Sequence, residues 1–174
     1  KVFVDNPATN IKVMVWEVSS SGYAAVWATE NTREAIWDAM QRKETFATSG
    51  PMIKLRFFGG FDLAAGDVNQ PDFGMQAYAK GVPMGGDLAQ APAGKPPVFL
   101  VHAMRDPDGP NLDRIQVIKG WLGKDGKLQE RVFDVAVSGG RKIGADGRCT
   151  TSVGSTVDVP NATVMLVENA ERFG

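Results

Sequence analysis

The sequence predicts an α+β fold that is mostly β: an antiparallel β-sandwich preceded by one strand and one amphipathic helix. Three observations carry this expectation. A capped helical stripe lies between residues 31 and 43, and the pattern changes to β chemistry across Thr48–Pro51. Strand-like runs then recur at spacings of about 8 to 14 residues, parted by Asp-Gly turns.

Taken in order, Asp5, Asn6, Pro7 and Asn10 are turn formers ahead of Ile11–Val18. Apolar residues fall on both alternating sets of that run, which fits a strand or extended arm covered on both sides. Tyr23–Ala28 (YAAVWA) is a short apolar run with the length of a buried strand. Asn31 and Glu34 then form a capping-box pair, because an Asn side chain accepts from the backbone three residues on while the Glu reaches back. The helix is predicted over Thr32–Lys43, with Ala35, Ile36, Ala39 and Met40 on one face and Trp37 extending it.

Thr48, Ser49, Gly50 and Pro51 stop the helix and mark the best boundary. Residues 1–50 read as an arm, strand and helix, and residues 51–174 as a β-sandwich-like module packed with them as one unit. Met52–Phe58 alternates apolar residues with Lys54 and Arg56, the mark of a strand with one wet face. Gly59–Pro97 is a Gly- and Pro-rich excursion with a short strand expected near Met75–Ala79. Strands follow over Val98–Met104, Arg114–Lys119 and Glu130–Val137, with Asp108-Gly109, Asp125-Gly126 and Asp146-Gly147 supplying the turns. Val157–Leu166 holds a last strand, or two interrupted by Pro160.

Composition excludes several functions. With 43% hydrophobic and 22% charged residues the chain is an ordinary globular one, not a disordered one. Nineteen Lys and Arg against twenty Asp and Glu leave a net charge of −1, which argues against nucleic acid as a partner. One His and one Cys rule out a disulfide within the chain, a thiolate zinc site and a multi-histidine metal site. No run of about 18 apolar residues is present, so no membrane span is expected. The opening Lys1 suggests a processed or excised product, and localisation stays open.

The candidate chemistry is sparse. His102, in the apolar run VFLVHAM, has the side chain of an acid–base group near neutral pH, or of a half-buried core histidine. Cys149 follows Arg148 with no base in its neighbourhood of the sequence, which suits an inert thiol. Asp106, Asp108 and Asp113, in RDPDGPNLD, are oxygen donors at a spacing that suits a hard cation or a plain β connection. Lys54 and Arg56 on one strand face could hold an anion or an acidic surface. The glycine pairs 59–60, 85–86 and 139–140 match no phosphate-loop pattern. Trp121, between Gly120 and a turn, is the tryptophan expected nearest the surface and a candidate platform for a sugar or peptide.

Longer runs carry a resemblance. GYAAVWATENTREAIWDAMQRKETFATSGPMIKLRFFGG (22–60), AKGVPMGGDL (79–88), FLVHAMRDPDGPNLDRIQVIKGW (99–121) and VFDVAVSGGR (132–141) resemble a bacterial family catalogued as domain of unknown function 3604. That family looks related to the polymerase and histidinol phosphatase (PHP) superfamily of metal-dependent phosphoesterases, built on a distorted β/α barrel. The resemblance implies a C-terminal portion: residues 23–51 resemble the closing strand and helix of such a barrel, leading into a β module. The barrel's metal ligands would lie before this stretch, so no catalytic residue is carried over, no cofactor is assigned to this chain, and a divalent metal is expected for the full-length family. A PHP-like barrel domain and a second copy of the chain are the expected partners, and export from a bacterial cytoplasm the implied localisation. The resulting function is a non-catalytic C-terminal module with a structural, active-site-bordering or oligomerising role. The alternatives are a metal-dependent hydrolase of phosphate esters using Asp106, Asp108 and Asp113, and a small-ligand or glycan-binding β module.

Overall fold

The computed structural model describes residues 2–14, 22–89, 91–109, 111–154, 157–158, 160–161 and 163–164. The chain is α+β, mostly β, and every strand pairing among the described residues is antiparallel. It divides into two compact units, Lys1–Met52 and Ile53–Gly174.

In the first unit, β1 (Val2–Asn6) and β2 (Ile11–Met14) form a hairpin. Its turn is made by the expected residues: the Asn6 carboxamide oxygen accepts from the Ala8 N–H at 3.1 Å, and Asn10 adopts a left-handed φ of 54°. The strand is not covered on both sides as expected, since Ile11 and Lys12 are exposed; its predicted end, 15–18, lies outside the described residues. The apolar run after it is a strand of three residues, β3 (Ala24–Val26), half-buried with Tyr23 exposed. It pairs with β4 (Thr45–Ala47), which the sequence did not announce.

Between them runs α1 (Arg33–Gln41). Its cap is Thr32 in place of Asn31: extended at φ −121°, ψ 159°, Thr32 accepts from the Ala35 N–H through its hydroxyl at 3.3 Å. Ala35 and Ala39 are buried, whereas Trp37, two residues from each and so on the opposite side of the helix, is 60% exposed and does not extend the apolar face.

The second unit is built on a sheet in the order β6-β5-β7, from β5 (Lys54–Gly60), β6 (Val82–Pro83) and β7 (Val98–Met104). The excursion between β5 and β7 is where the sequence misled. A 3-10 turn at Ala65–Asn69 leads to α2 (Phe73–Lys80), a helix where a short strand was expected near Met75–Ala79. The spacing that decides it is Phe73 to Ala77, one helical turn, both buried against the sheet. Phe58 and Leu100, cross-strand partners, join Leu63, Val68, Phe73 and Ala77 in the core. The Phe58 ring meets those of Phe73 and Tyr78 edge-on, with centroids 5.6 and 5.1 Å away. Lys80 ties α2 to Asp67 at 3.0 Å, and Asp67 accepts from the Ala64 N–H at 2.9 Å.

The next two strands, β8 (Arg114–Leu122) and β9 (Leu128–Val137), form a longer ribbon than Arg114–Lys119 and Glu130–Val137 would give. Its tip is closed by the Gly123 N–H donating to the Lys127 carbonyl at 2.8 Å, with Gly126 at a left-handed φ of 75°. A bulge places Ile115 opposite Ala136 and Gln116 opposite Asp134, leaving Val135 extra. The short strands β10 (Val157–Asp158) and β11 (Thr163–Val164) pair on either side of Pro160.

Candidate functional site

The candidates read from the sequence are dispersed over the second unit. Lys54 is exposed at the start of β5 opposite Met104. Arg56 and His102 are cross-strand partners on the α2 side of the sheet. There the Arg56 guanidinium lies 6.0 Å from the Tyr78 ring centroid and the His102 ring 5.6 Å from that of Phe73. Both side chains are half-buried, so the strand face expected to be wet is covered by a helix.

Asp106, Asp108 and Asp113 are engaged separately. Asp106 accepts from the Asp108 N–H at 3.1 Å, an Asx turn. Arg105 closes the same loop by donating to the Gly109 carbonyl at 2.9 Å. Asp113 is paired with Arg114 at 3.0 Å and Arg141 at 2.6 Å, and their hydrogen bonds hold its carboxyl below the usual carboxylate range. Among the described residues no three His, Cys, Asp or Glu side chains gather as a metal site would require.

The strongest polar cluster is one that sequence reasoning passed over. Asp134, 4% exposed, accepts from the Cys149 N–H at 2.7 Å, from Gln116 Nε2 at 2.6 Å and from Arg114 at 3.0 Å. Arg148 adds a charge at 3.8 Å. These partners, the Cys149 N–H foremost and Gln116 next, outweigh burial and lower the Asp134 pKa from its ordinary 3.8. Arg114 also donates to the Cys149 carbonyl at 2.9 Å, and the buried Arg141 donates to the Ser138 and Thr151 carbonyls, both at 2.9 Å. The network therefore sews the 138–151 loop to the ribbon and uses its charges in doing so. A signal was present: Asp134 interrupts the apolar run VFDVAV, and a carboxylate at a core-facing position needs partners.

The other side of the β6-β5-β7 sheet is different in kind. Phe57, Phe99 and Val101 stand on it, with the Phe57 and Phe99 rings stacked at 5.6 Å and 4°. Together with Ile115, Val117 and Phe133 of the ribbon they border an open trough of 1170 Å³. That exceeds the roughly 300–1,000 Å³ of small-molecule pockets. Its walls are mostly carbon; the Asp134 side chain beside it has no exposed surface and is saturated by hydrogen bonds, and Lys119 stands at its edge. Such a surface gains free energy by covering apolar area rather than by transferring protons.

The family described as "Protein of unknown function (DUF3604)" matches residues 3–172. No curated protein and no solved structure matches the chain.

Proposed function

The chain belongs to the DUF3604 family, and from that premise we propose that it is a non-catalytic module of a PHP-like, metal-dependent phosphoesterase-related protein, whose work is to pack its apolar trough against a PHP-like barrel domain. The observation that carries this reading is the trough bordered by Phe57, Phe99, Val101, Ile115, Val117 and Phe133. A wall of that composition stays in water only at a cost, and a partner with a matching apolar face relieves it. The resemblance of residues 23–51 to the closing strand and helix of such a barrel supports the choice of partner. In this reading the divalent metal and the hydrolytic chemistry belong to the barrel, and this chain contributes a border and a buttress.

The test has two arms. The purified chain, incubated with excess manganese and zinc and then desalted, is expected to hold near-zero metal and to turn over no phosphodiester. Stoichiometric metal lost on replacing Asp106, Asp108 and Asp113 together by Ala would overturn the non-catalytic reading in favour of a carboxylate-held hydrolase site. In the second arm, the barrel portion of a longer family member is mixed with this chain. Association that Phe99→Asp abolishes supports the proposal. Self-association abolished by the same change, with no binding to the barrel, replaces the barrel by a second copy.

A further inference from the structure

The distal half of the β8-β9 ribbon continues the face that borders the trough, with Lys119 on the trough's edge and Arg131 over Phe133 of its wall, but it carries charges that an apolar trough does not explain. Lys119 and Arg131 are direct cross-strand partners, so their side chains rise from the same face of the ribbon. Like charges placed directly opposite each other repel, and no carboxylate pairs with either side chain among the described residues. Each is steadied by an aromatic ring instead: Lys119 Nζ lies 5.2 Å from the Trp121 centroid and the Arg131 guanidinium 4.8 Å from that of Phe133. Arg131 also reaches the Asp146 carbonyl at 3.5 Å. Trp121 keeps 37% of its surface exposed, and its cross-strand partner is the exposed amide of Gln129.

One short face thus offers a flat aromatic ring, an amide that donates and accepts, and two uncompensated cations. A sugar acid presents the complement: an apolar ring face, hydroxyls and an anion. We propose that Lys119, Arg131, Trp121 and Gln129 bind an anionic saccharide, a sugar chain bearing carboxylate or sulfate groups. The anion sits between the two cations while a ring stacks on Trp121. Single-stranded nucleic acid also combines anions with stacking, but it calls for a charged groove that tracks the backbone, and the whole chain is at net −1. The site's residues come from one hairpin, and although Lys119 also lines the edge of the trough, the test uses the chain without a barrel and so stands or falls apart from the barrel reading.

The intact chain is titrated at low salt with an oligouronate, a neutral oligohexose of equal length, sodium sulfate and a single-stranded oligonucleotide, followed by tryptophan fluorescence and calorimetry. The oligouronate is expected to bind and to perturb the fluorescence, with the neutral oligomer at least about tenfold weaker. Lys119→Gln and Arg131→Gln should each weaken it about five- to tenfold, as exposed charge-assisted hydrogen bonds do. Trp121→Ala should weaken it and remove the spectral change. Glu130→Gln, on the opposite face of the same strand, should leave affinity unchanged or slightly improved, and circular dichroism checks that each variant keeps its fold. Equal binding of the neutral oligomer, tighter binding of the oligonucleotide, sulfate alone binding as well as the oligouronate, or indifference to both cation changes would each overturn the proposal.

Discussion

Phe58 and Phe99 are large aromatic residues on neighbouring strands of one sheet, and they should behave oppositely when truncated. Phe58 is 2% exposed and packs edge-on with Phe73 and Tyr78 beneath α2. Replacing it with Ala removes a buried ring and two aromatic pairs, a loss of about 3–5 kcal/mol by analogy with other core phenylalanines. Phe99 is 51% exposed on the trough side and stacks on Phe57. Its half-buried ring is worth about 1 kcal/mol of transfer energy, and the stack adds about 0.5–1 kcal/mol. Urea unfolding followed by circular dichroism should therefore show Phe58→Ala costing two to three times as much as Phe99→Ala, at unchanged slope; for a chain of this length each 1 kcal/mol corresponds to about 2–4 °C in Tm. The barrel-binding assay should show the reverse order, with the Phe99 variant folded but poorly bound. Equal costs, or a larger one for Phe99, would refute the reasoning, because they would mean that the trough face is already covered in the isolated chain.

Two further outcomes follow from the polar network and from a close backbone approach. Asp134 has a folded pKa below its ordinary 3.8, so the stability it adds is complete above that value and is lost as pH falls through the lower folded value. Asp134→Asn should therefore be less stable than the parent at pH 7, and the gap should narrow as acid is added below about pH 3.8 in matched denaturation curves; a gap that is constant with pH would show that the carboxylate charge is not what matters. A Cβ at Gly22 would stand 1.7 Å from the Thr48 carbonyl oxygen, next to the bond from the Thr48 N–H to the Tyr23 carbonyl at 2.8 Å. Gly22→Ala should part the β3-β4 pair at a cost of about 1–3 kcal/mol, seen as faster amide exchange at Thr48 and Ala25, whose N–H groups face the partner strand, and unchanged exchange there would remove the argument.

What the sequence made legible is what depends on neighbours along the chain. The α1 stripe, the Asp125-Gly126 hairpin and the alternation of β5 and β7 all follow from local pattern and turn chemistry. The misses share another cause. α2 was hidden because it lies in a Gly- and Pro-rich excursion where only a short strand near Met75–Ala79 was expected, and only the sheet below Phe73 and Ala77 selects the helical spacing. The cap shifted from Asn31 to Thr32 by a single residue, the usual uncertainty where two capping side chains are adjacent. Site residues fared worse than elements, since Asp134 acquires its partners from Gln116, Arg114 and Cys149, up to 20 residues away along the chain. Trp121 was singled out for its turn, yet its meaning comes from Lys119, two residues away, and from the cross-strand pairing of that lysine with Arg131, which no local pattern announces.

The paired glycines of β5 show how one strand serves two faces at once. A Cβ at Gly60 would meet the Lys80 carbonyl at 3.0 Å and the Gly81 Cα at 3.1 Å, so this glycine lets the end of α2 close on the sheet. A Cβ at Gly59 would meet the Phe99 ring at 3.0 Å, so this one lets Phe99 lie flat across the strand on the trough side. The first glycine brings backbone to backbone and builds the core. The second lowers a ring onto the sheet and so produces a broad aromatic floor continuous with Phe57, where a side chain on Gly59 would have raised it. A floor of that form suits an extended protein surface better than a small molecule, which needs enclosing walls and a few converging polar groups to be held. The Lys119–Arg131 face answers the second requirement, with its charges brought together by a hairpin register and not by depth. The aromatic floor therefore calls for an apolar partner and the distal end of the ribbon for an anionic one, with Lys119 on the edge that the two share.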